Sequence, residues 1–533
     1  MAIKINNIIL SLNEDLELVK GKALKKLGLN DNDIRDFKII KESIDARKKS
    51  SIKFNYAVEL NCDNEAKVVA LANSNDIKIE TIKYNADFKF GTKKPEHRPI
   101  IIGMGPAGIF AGLLMAKKGY RPIIIERGEK VEERTKTVNE FWKSGVLNQE
   151  SNVQFGEGGA GAFSDGKLTT RIKDSRCDFI TEELVKAGAP EEIMYMGKPH
   201  IGTDILKVVL KNIRNQIIDL GGEVLCSSKL EDLIIEGKAL KGIVINGEEI
   251  PCETLILAIG HSSRDTYEML LHREVSMESK PFAIGVRIEH PQALIDESQY
   301  GNFAGHKRLK AADYKLAYTS EKLNRSIYSF CMCPGGEVVA AASEHNRLVI
   351  NGMSNYKRNK KNANSALVVS VGPKDFQGSS PLNGMEFQRH YESLAYKLGG
   401  GAFNAPVQLA ADFLKDRLST NIGSVTPSYT PGYELKDLRK TLPYYVVVAL
   451  KEGLISFDKK IRGFASKDAV MTGIETRTSA PIRIDRNENL QSTSVKGIYP
   501  AGEGAGYAGG IISSAVDGLK VAESIMKEWK RVE

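Results

Sequence analysis

The sequence predicts an α/β protein in three parts, and three observations carry that prediction. An uncharged run from Pro99 to Ala116 passes from three isoleucines into closely spaced glycines and then a helical stretch. Residues 497–527 show the same order of strand, glycine turn and helix. The first ninety or so residues instead alternate strand-like and helix-like runs. At 533 residues the chain is also too long for one hydrophobic core, given roughly one domain per 150 residues.

In order along the chain, strand-like runs are Ile3 to Leu10, Phe37 to Ile44, Ser51 to Leu60 and Ile77 to Ile82, with helical runs Leu16 to Leu27 and Glu65 to Asn73 between them. This β-α-β-β-α-β order suggests a small ferredoxin-like α+β domain over residues 1–92. The polar, proline-flanked segment Gly91 to Pro99 reads as a linker. From Ile100 the pattern is a strand to Ile102, a glycine turn, a helix to about Lys118 and a strand Pro122 to Glu126. An amphipathic helix from about Asp204 to Leu220 and a short strand Glu223 to Cys226 follow. Next come alternating strands Leu230 to Ile235 and Leu240 to Ile245, then an apolar strand Thr254 to Ile259 ending at Gly260. Residues 281 to about 480 read as mixed and strand-rich.

Composition narrows the class. Hydrophobic residues at 42% and charged residues at 27% exclude a disordered chain and a polytopic membrane protein. Lys plus Arg at 75 against Asp plus Glu at 67 leaves +8, scattered along the chain. The densest clusters, Arg47-Lys48-Lys49 and Lys357 to Lys361, read as solvated faces, so no stable nucleic-acid partner is expected. Six cysteines without Cys-x-x-Cys or matched Cys/His spacing give neither a disulfide scaffold nor a metal site. That fits a reducing cytoplasm, as does an N-terminus whose apolar residues are broken by Asn6, Asn7 and Asn13, unlike a signal peptide. The uncharged run reaches the lower length of a membrane span, but its glycines and Pro106 break it, so no span is expected.

Gly103-Met104-Gly105-Pro106-Ala107-Gly108 is a Gly-x-Gly-x-x-Gly after an apolar strand and at the start of a helix. Gly103 permits the tight turn, Gly105 lets backbone approach a pyrophosphate, and Gly108 lets helix and strand pack closely. Pro106 and Ala107 open the helix, whose positive end suits phosphates. Glu126, eighteen residues after Gly108 and followed by Arg127, can accept hydrogen bonds from ribose hydroxyls. This fingerprint does not by itself separate FAD from NAD.

At the other end, Gly497-Ile498-Tyr499-Pro500-Ala501-Gly502-Glu503 is a strand ending in a carboxylate, and Gly509-Gly510 precede a helix from about Ile511. This resembles the second flavin-binding motif of the glutathione-reductase superfamily; most members carry Asp where Glu503 stands. Leu255 to Gly260 resembles the superfamily's apolar strand ending in Ala-x-Gly, an arrangement that puts backbone near Leu230 against the adenine. These resemblances cover roughly 96–280 and 485–533, about half of the chain. The string Phe155 to Leu168, with Gly158, Gly159, Ala160, Gly161 and Lys167, suits backbone passing close to a flat ring. With Cys331 to Val338 and Glu475 to Pro481 it resembles a family of uncharacterised FAD-dependent dehydrogenases, a match over most of the chain that implies FAD and gives no substrate. The expected architecture is thus α/β: a Rossmann-like FAD-binding domain over 96–280 and 485–533, an inserted mixed α+β substrate or cap domain over 281–484, and the N-terminal domain.

Flavin chemistry needs only a proton carrier and a substrate anchor from the protein. Ser326 to Cys333 alternates, so Ser329, Cys331 and Cys333 are expected on one face; the two thiols are either a redox pair or core packing. Arg287 and His290 are candidates to anchor an anion and supply a proton, the alternative being a structural ion pair with Glu289 or another carboxylate. Arg477 and Arg483 can bind a carboxylate or line the flavin, and His261 can simply end a strand. No second strand–glycine–helix nucleotide unit occurs, so NAD(P)H is expected at most as a transient electron donor. The leading function is an FAD-dependent oxidoreductase exchanging hydride between flavin N5 and an unidentified small molecule. An RNA-linked flavoprotein of the tRNA-modifying type, and an FAD-binding sensor or partner module, are the alternatives. Oligomeric state is not legible.

Overall fold

A computed structural model describes residues 2–80 and 88–531. Its first sheet is antiparallel, with strands in the order Ile34–Asp45, Lys53–Cys62, Ala2–Ser11, Ile77–Glu80. Ile3, Ile5, Ile8 and Leu10 are buried, and the step from Ile5 to Ile8 is a register shift that keeps the apolar side inward. The helices Leu18–Leu27 and Glu65–Ala72 fall where the sequence puts them. Leu16 lies in the turn ahead of the first helix and is 43% exposed. The end of the strand expected to reach Ile82 lies outside the described residues.

The second sheet is all parallel: Ile498–Pro500, Leu255–Leu257, Ile100–Ile102, Ile123–Ile125, Glu223–Leu225. The C-terminal strand and Ile100–Ile102 therefore share one sheet, on either side of Leu255–Leu257. The helices Pro106–Lys117 and Ile511–Glu528 cover one face at close range, since a Cβ on Gly518 would stand 2.1 Å from Ala107 O. The uncharged run is thus a strand and a packed helix, and among the described residues no helix is long and apolar enough to cross a membrane. A third strand, Glu248–Pro251, extends the expected pair Leu230–Glu236 and Ala239–Ile245. The helices Val131–Ser144, Arg176–Lys186 and Arg264–His272 add to the elements predicted for this part of the chain.

The chain leaves the parallel sheet through Met277–Ser279 and returns through Ile482–Ile484, which pair with each other antiparallel. Between them lies a seven-stranded sheet: Ala317–Ser320, Arg325–Cys333, Asn362–Val371, Phe282–Pro291, Val470–Glu475, Ala405–Leu409, Tyr433–Leu435. It is antiparallel except for its last pair. One buried cluster joins its Val286 and Ile288 to Ile3 and Tyr56 of the N-terminal sheet. The expected alternation along Ser326 to Cys333 stops at Phe330. There the ladder slips against Asn362–Val371, and Cys331 adopts φ +44°. Cys331 is left half-buried while Met332 and Cys333 are both buried, because the bulge adds residues that the pleat does not count.

Candidate cofactor and substrate site

A cavity of about 380 Å³ opens at the carboxyl ends of the parallel strands, lined by Ile102, Ala258 and Ala501. Gly103 turns the chain there with φ +96°, and a Cβ would lie 2.3 Å from Ala258 O, so no other residue fits. Gly105 caps the helix Pro106–Lys117 and faces open space: its only neighbour to a built Cβ is Gly159 Cα at 3.9 Å. Pro106 and Ala107 also line the cavity. Gly108 does not; it presses the helix onto Gly103 O, 1.9 Å from a built Cβ.

Glu126 does more than face the cavity. Its carboxylate accepts hydrogen bonds from the backbone N–H of Met104 (2.8 Å), Gly128 (3.0 Å) and Gly156 (2.9 Å), tying strand, fingerprint and glycine string together. Arg127 lines the same end, paired with Glu150 and Asp265 and stacked 4.1 Å over the Phe155 ring. Leu230 lines it beside Ser228 and Lys229.

The string Phe155 to Leu168 is held by a residue without a sequence signal. Arg134 is fully buried and donates to the carbonyls of Asn152, Val153, Gly156 and Glu157 at 2.7–3.2 Å. Gly159, Ala160 and Gly161 line the cavity; Gly158 turns away, its built Cβ 2.3 Å from Leu210. Lys167 lines it too, with Nζ 2.7 Å from Asp165 Oδ2 and bonded to Met332 O.

From the C-terminal motif, Glu503, Gly509, Gly510 and Ile511 line the cavity at the start of the helix Ile511–Glu528. Gly502 sits behind, with φ +74° and its N–H donating to Asp517 Oδ2 at 2.7 Å. Burial pushes the Glu503 carboxyl up to about 7, partly opposed by Lys280.

The opposite wall comes from the seven-stranded sheet and its connections: Phe330, Cys331, Asn351, Glu475, Arg477 and Thr478. Of the four residues singled out for chemistry, only Cys331 lines the cavity; Cys333 is buried behind it. Arg287 is fully buried and commits all five donors: Glu475 takes two (2.8 and 2.9 Å), and Cys331 O, Asn364 and Asn351 take the others. It therefore has no donor left to anchor an anion. His290 is also buried; its Nε2–H donates to Phe464 O at 2.7 Å, and burial brings it down to about 4, so the ring is uncharged at neutral pH and its one proton is committed to that carbonyl. The structural ion pair weighed as the alternative is made by Arg287 with Glu475, while Glu289 bonds Ser428 and Asn362.

Arg477 reaches the cavity while bonding Glu392, Ser262 and Ser343; Arg264 shares Glu392. Arg483 pairs with Glu278 and does not line the cavity. His261 does, brought down to about 3 by burial and by Arg477 and Arg264. Its place directly after Gly260 was the available signal; Asn351 and Arg134 had none. Among the described residues no group of three or more His, Cys, Asp or Glu side chains could hold a metal ion.

Residues 281–478 match the family model described as FAD-dependent protein, C-terminal domain-like, and residues 2–61 match a domain of unknown function (DUF8436). An uncharacterized protein of Clostridium beijerinckii is 62% identical over 529 residues, spanning 99% of each chain. Among solved structures, glycine oxidase from Geobacillus kaustophilus is 9% identical (82% of this chain, 96% of that chain, TM-score 0.34). L-proline dehydrogenase from P. horikoshii is 13% identical (82% and 94%, TM-score 0.33). At such TM-scores these two likenesses carry no argument about function.

Proposed function

The chain belongs to one family with the Clostridium beijerinckii protein, and we propose that it is an FAD-dependent oxidoreductase exchanging hydride with a small molecule. The observation that carries this is one cavity lined by motifs from opposite ends of the chain, Gly103 to Ala107 and Glu503 to Ile511, and closed by the seven-stranded sheet. The match of residues 281–478 to an FAD-dependent protein's domain supports it.

The residues fit such a cofactor. Open space beside Gly105 at a helix N-terminus suits a pyrophosphate, and Glu126 retains acceptor capacity for ribose hydroxyls. Arg127 and Leu230 would hold the adenosine end; Gly159 to Gly161, Lys167, Gly260 and Glu503 with Gly509–Gly510 would hold the flavin end. Bound FAD supplies two-electron hydride exchange at N5. Glu503, titrating near neutral pH, can hold or release a proton at the cavity wall. Buried side chains of the seven-stranded sheet exclude water from that wall. NAD(P)H is proposed as a transient electron donor.

The test is an absorbance spectrum of the purified protein, then anaerobic titration with NADH and NADPH. A band near roughly 450 nm that bleaches on titration is expected. A flavin left oxidised by both removes the nicotinamide donor, and protein that stays colourless after incubation with FAD overturns the function.

A further inference from the structure

Cys331 and Cys333 occupy the one bulge that faces the cavity from the strand Arg325–Cys333. A left-handed backbone, φ +44°, is uncommon for a residue with a side chain, and such conformations persist where the surroundings impose them. Here it brings Cys331 to the cavity wall. Cys333 stands directly behind, fully buried, with its thiol donating to Cys331 O at 3.3 Å. Two cations grip the same three residues: Lys167 Nζ bonds Met332 O, the carbonyl between the cysteines, and Arg287 Nη1 donates to Cys331 O at 3.2 Å. The charged groups facing the pair are these two, their partners Asp165 and Glu475, and Glu503.

A packing cysteine has a different environment. Cys252 is buried in an apolar cluster, and burial pushes its thiol up to about 12. Cys331 is held down at about 5, first by the Cys333 hydrogen bond and then by Lys167 and Arg287, whereas Cys333 is raised. A half-buried thiol on the cavity wall that favours ionisation, in front of a buried one that does not, is the order an attacking and a resolving thiol need.

We propose that Cys331 and Cys333 are a dithiol–disulfide couple opening on the cavity, and that the substrate is a small disulfide compound. The proposal rests on the FAD assignment for its reductant. The Cys331 thiolate attacks one sulfur of R–S–S–R; that bond breaks, a Cys331–S–R mixed disulfide forms, and R–S⁻ leaves and takes up a proton. Cys333 then loses its proton and attacks Cys331 Sγ, releasing the second R–S⁻ and closing the Cys331–Cys333 disulfide. The substrate is reduced to two thiols as the pair is oxidised by two electrons. The pair reopens on taking two electrons from a reduced flavin and two protons from solvent.

The test uses the full chain and 2-hydroxyethyl disulfide as probe, with thiol trapping by N-ethylmaleimide and mass spectrometry of the 331–333 peptide. Wild type is expected to lose both trapping sites and become two hydrogens lighter, while Cys333→Ser accumulates the mixed disulfide on Cys331. The pH midpoint for native trapping of Cys331 is expected well below that of an ordinary thiol, about 8.5. In Cys333→Ala that midpoint moves up, which a merely structural cysteine would not show. Cys331→Ser and Cys331→Ala both serve as the unreactive control, so one misfolded variant does not end the test. No reaction at Cys331, or a stable mixed disulfide in wild type, overturns the proposal. The flavin band of the same wild-type sample is read first: its absence defeats the FAD assignment, while exchange with the probe still decides the pair. Where flavin is bound, photoreducing it should restore both trapping sites; a disulfide that persists beside fully reduced flavin also overturns the proposal.

Discussion

The two walls of the cavity are built by different means. The parallel-sheet wall is mostly backbone: Gly103, Gly105 and Gly159 bring main chain to the cavity, and one of its carboxylates, Glu126, accepts from three backbone N–H groups. The opposite wall is side chains held in place by buried ion pairs, Arg287 with Glu475 and Arg477 with Glu392. A backbone wall offers hydrogen-bond donors and close approach, which a phosphate-bearing ligand needs whatever its chemistry. A side-chain wall offers tunable protons and thiols. Binding falls mainly to the first wall and thiol chemistry to the second, while Glu503 adds a titrating carboxyl to the backbone wall, and each wall can be broken without the other.

Substitution at Gly105 should give the largest effect. Gly105→Asp places a carboxylate in open space beside the helix N-terminus, so the chain should fold as before and lose the flavin band altogether, as read by absorbance alongside circular dichroism. Arg287→Met attacks the other wall. It leaves Glu475 charged and unpaired in the interior, and a denaturation midpoint shift equivalent to about 3–5 kcal/mol is expected.

Glu503 gives a smaller, pH-dependent effect. Its folded carboxyl titrates near about 7, above the ordinary value of 4.5, so the unfolded chain ionises first. Stability is full below about 4.5 and falls as pH rises through about 7, by roughly 1–3 kcal/mol. Glu503→Gln should flatten that fall in denaturant titrations run across the range. The smallest effect belongs to a pair remote from both walls: Arg35 and Asp63 are 73% and 75% exposed, and Arg35→Ala should change stability by less than about 0.5 kcal/mol.

What could be read from the sequence follows the same division. The backbone wall announces itself, because glycine spacing after a strand is a local pattern: Gly103, Gly105, Glu126, Glu503 and Gly509 all reach the cavity. The side-chain wall does not, because Cys331 and Glu475 come from two strands of the seven-stranded sheet and Asn351 from a strand of a separate two-stranded sheet, Ile350–Met353, and they meet only through tertiary packing. Arg287 and His290 show the cost. Polar residues in an apolar strand suggest chemistry, yet both face inward and spend their hydrogen bonds on the fold. The alternation through Cys331 fails for a related reason, since a bulge depends on the partner strand, which no local pattern reports.

The most direct measurement is to denature the purified protein, separate the small molecules released, and identify them by chromatography and mass. About one FAD per chain in wild type and none in Gly105→Asp is the expected result. Wild-type protein that retains no FAD even after incubation with it, or Gly105→Asp protein that releases FAD as wild type does, would contradict the assignment of this cavity to a flavin.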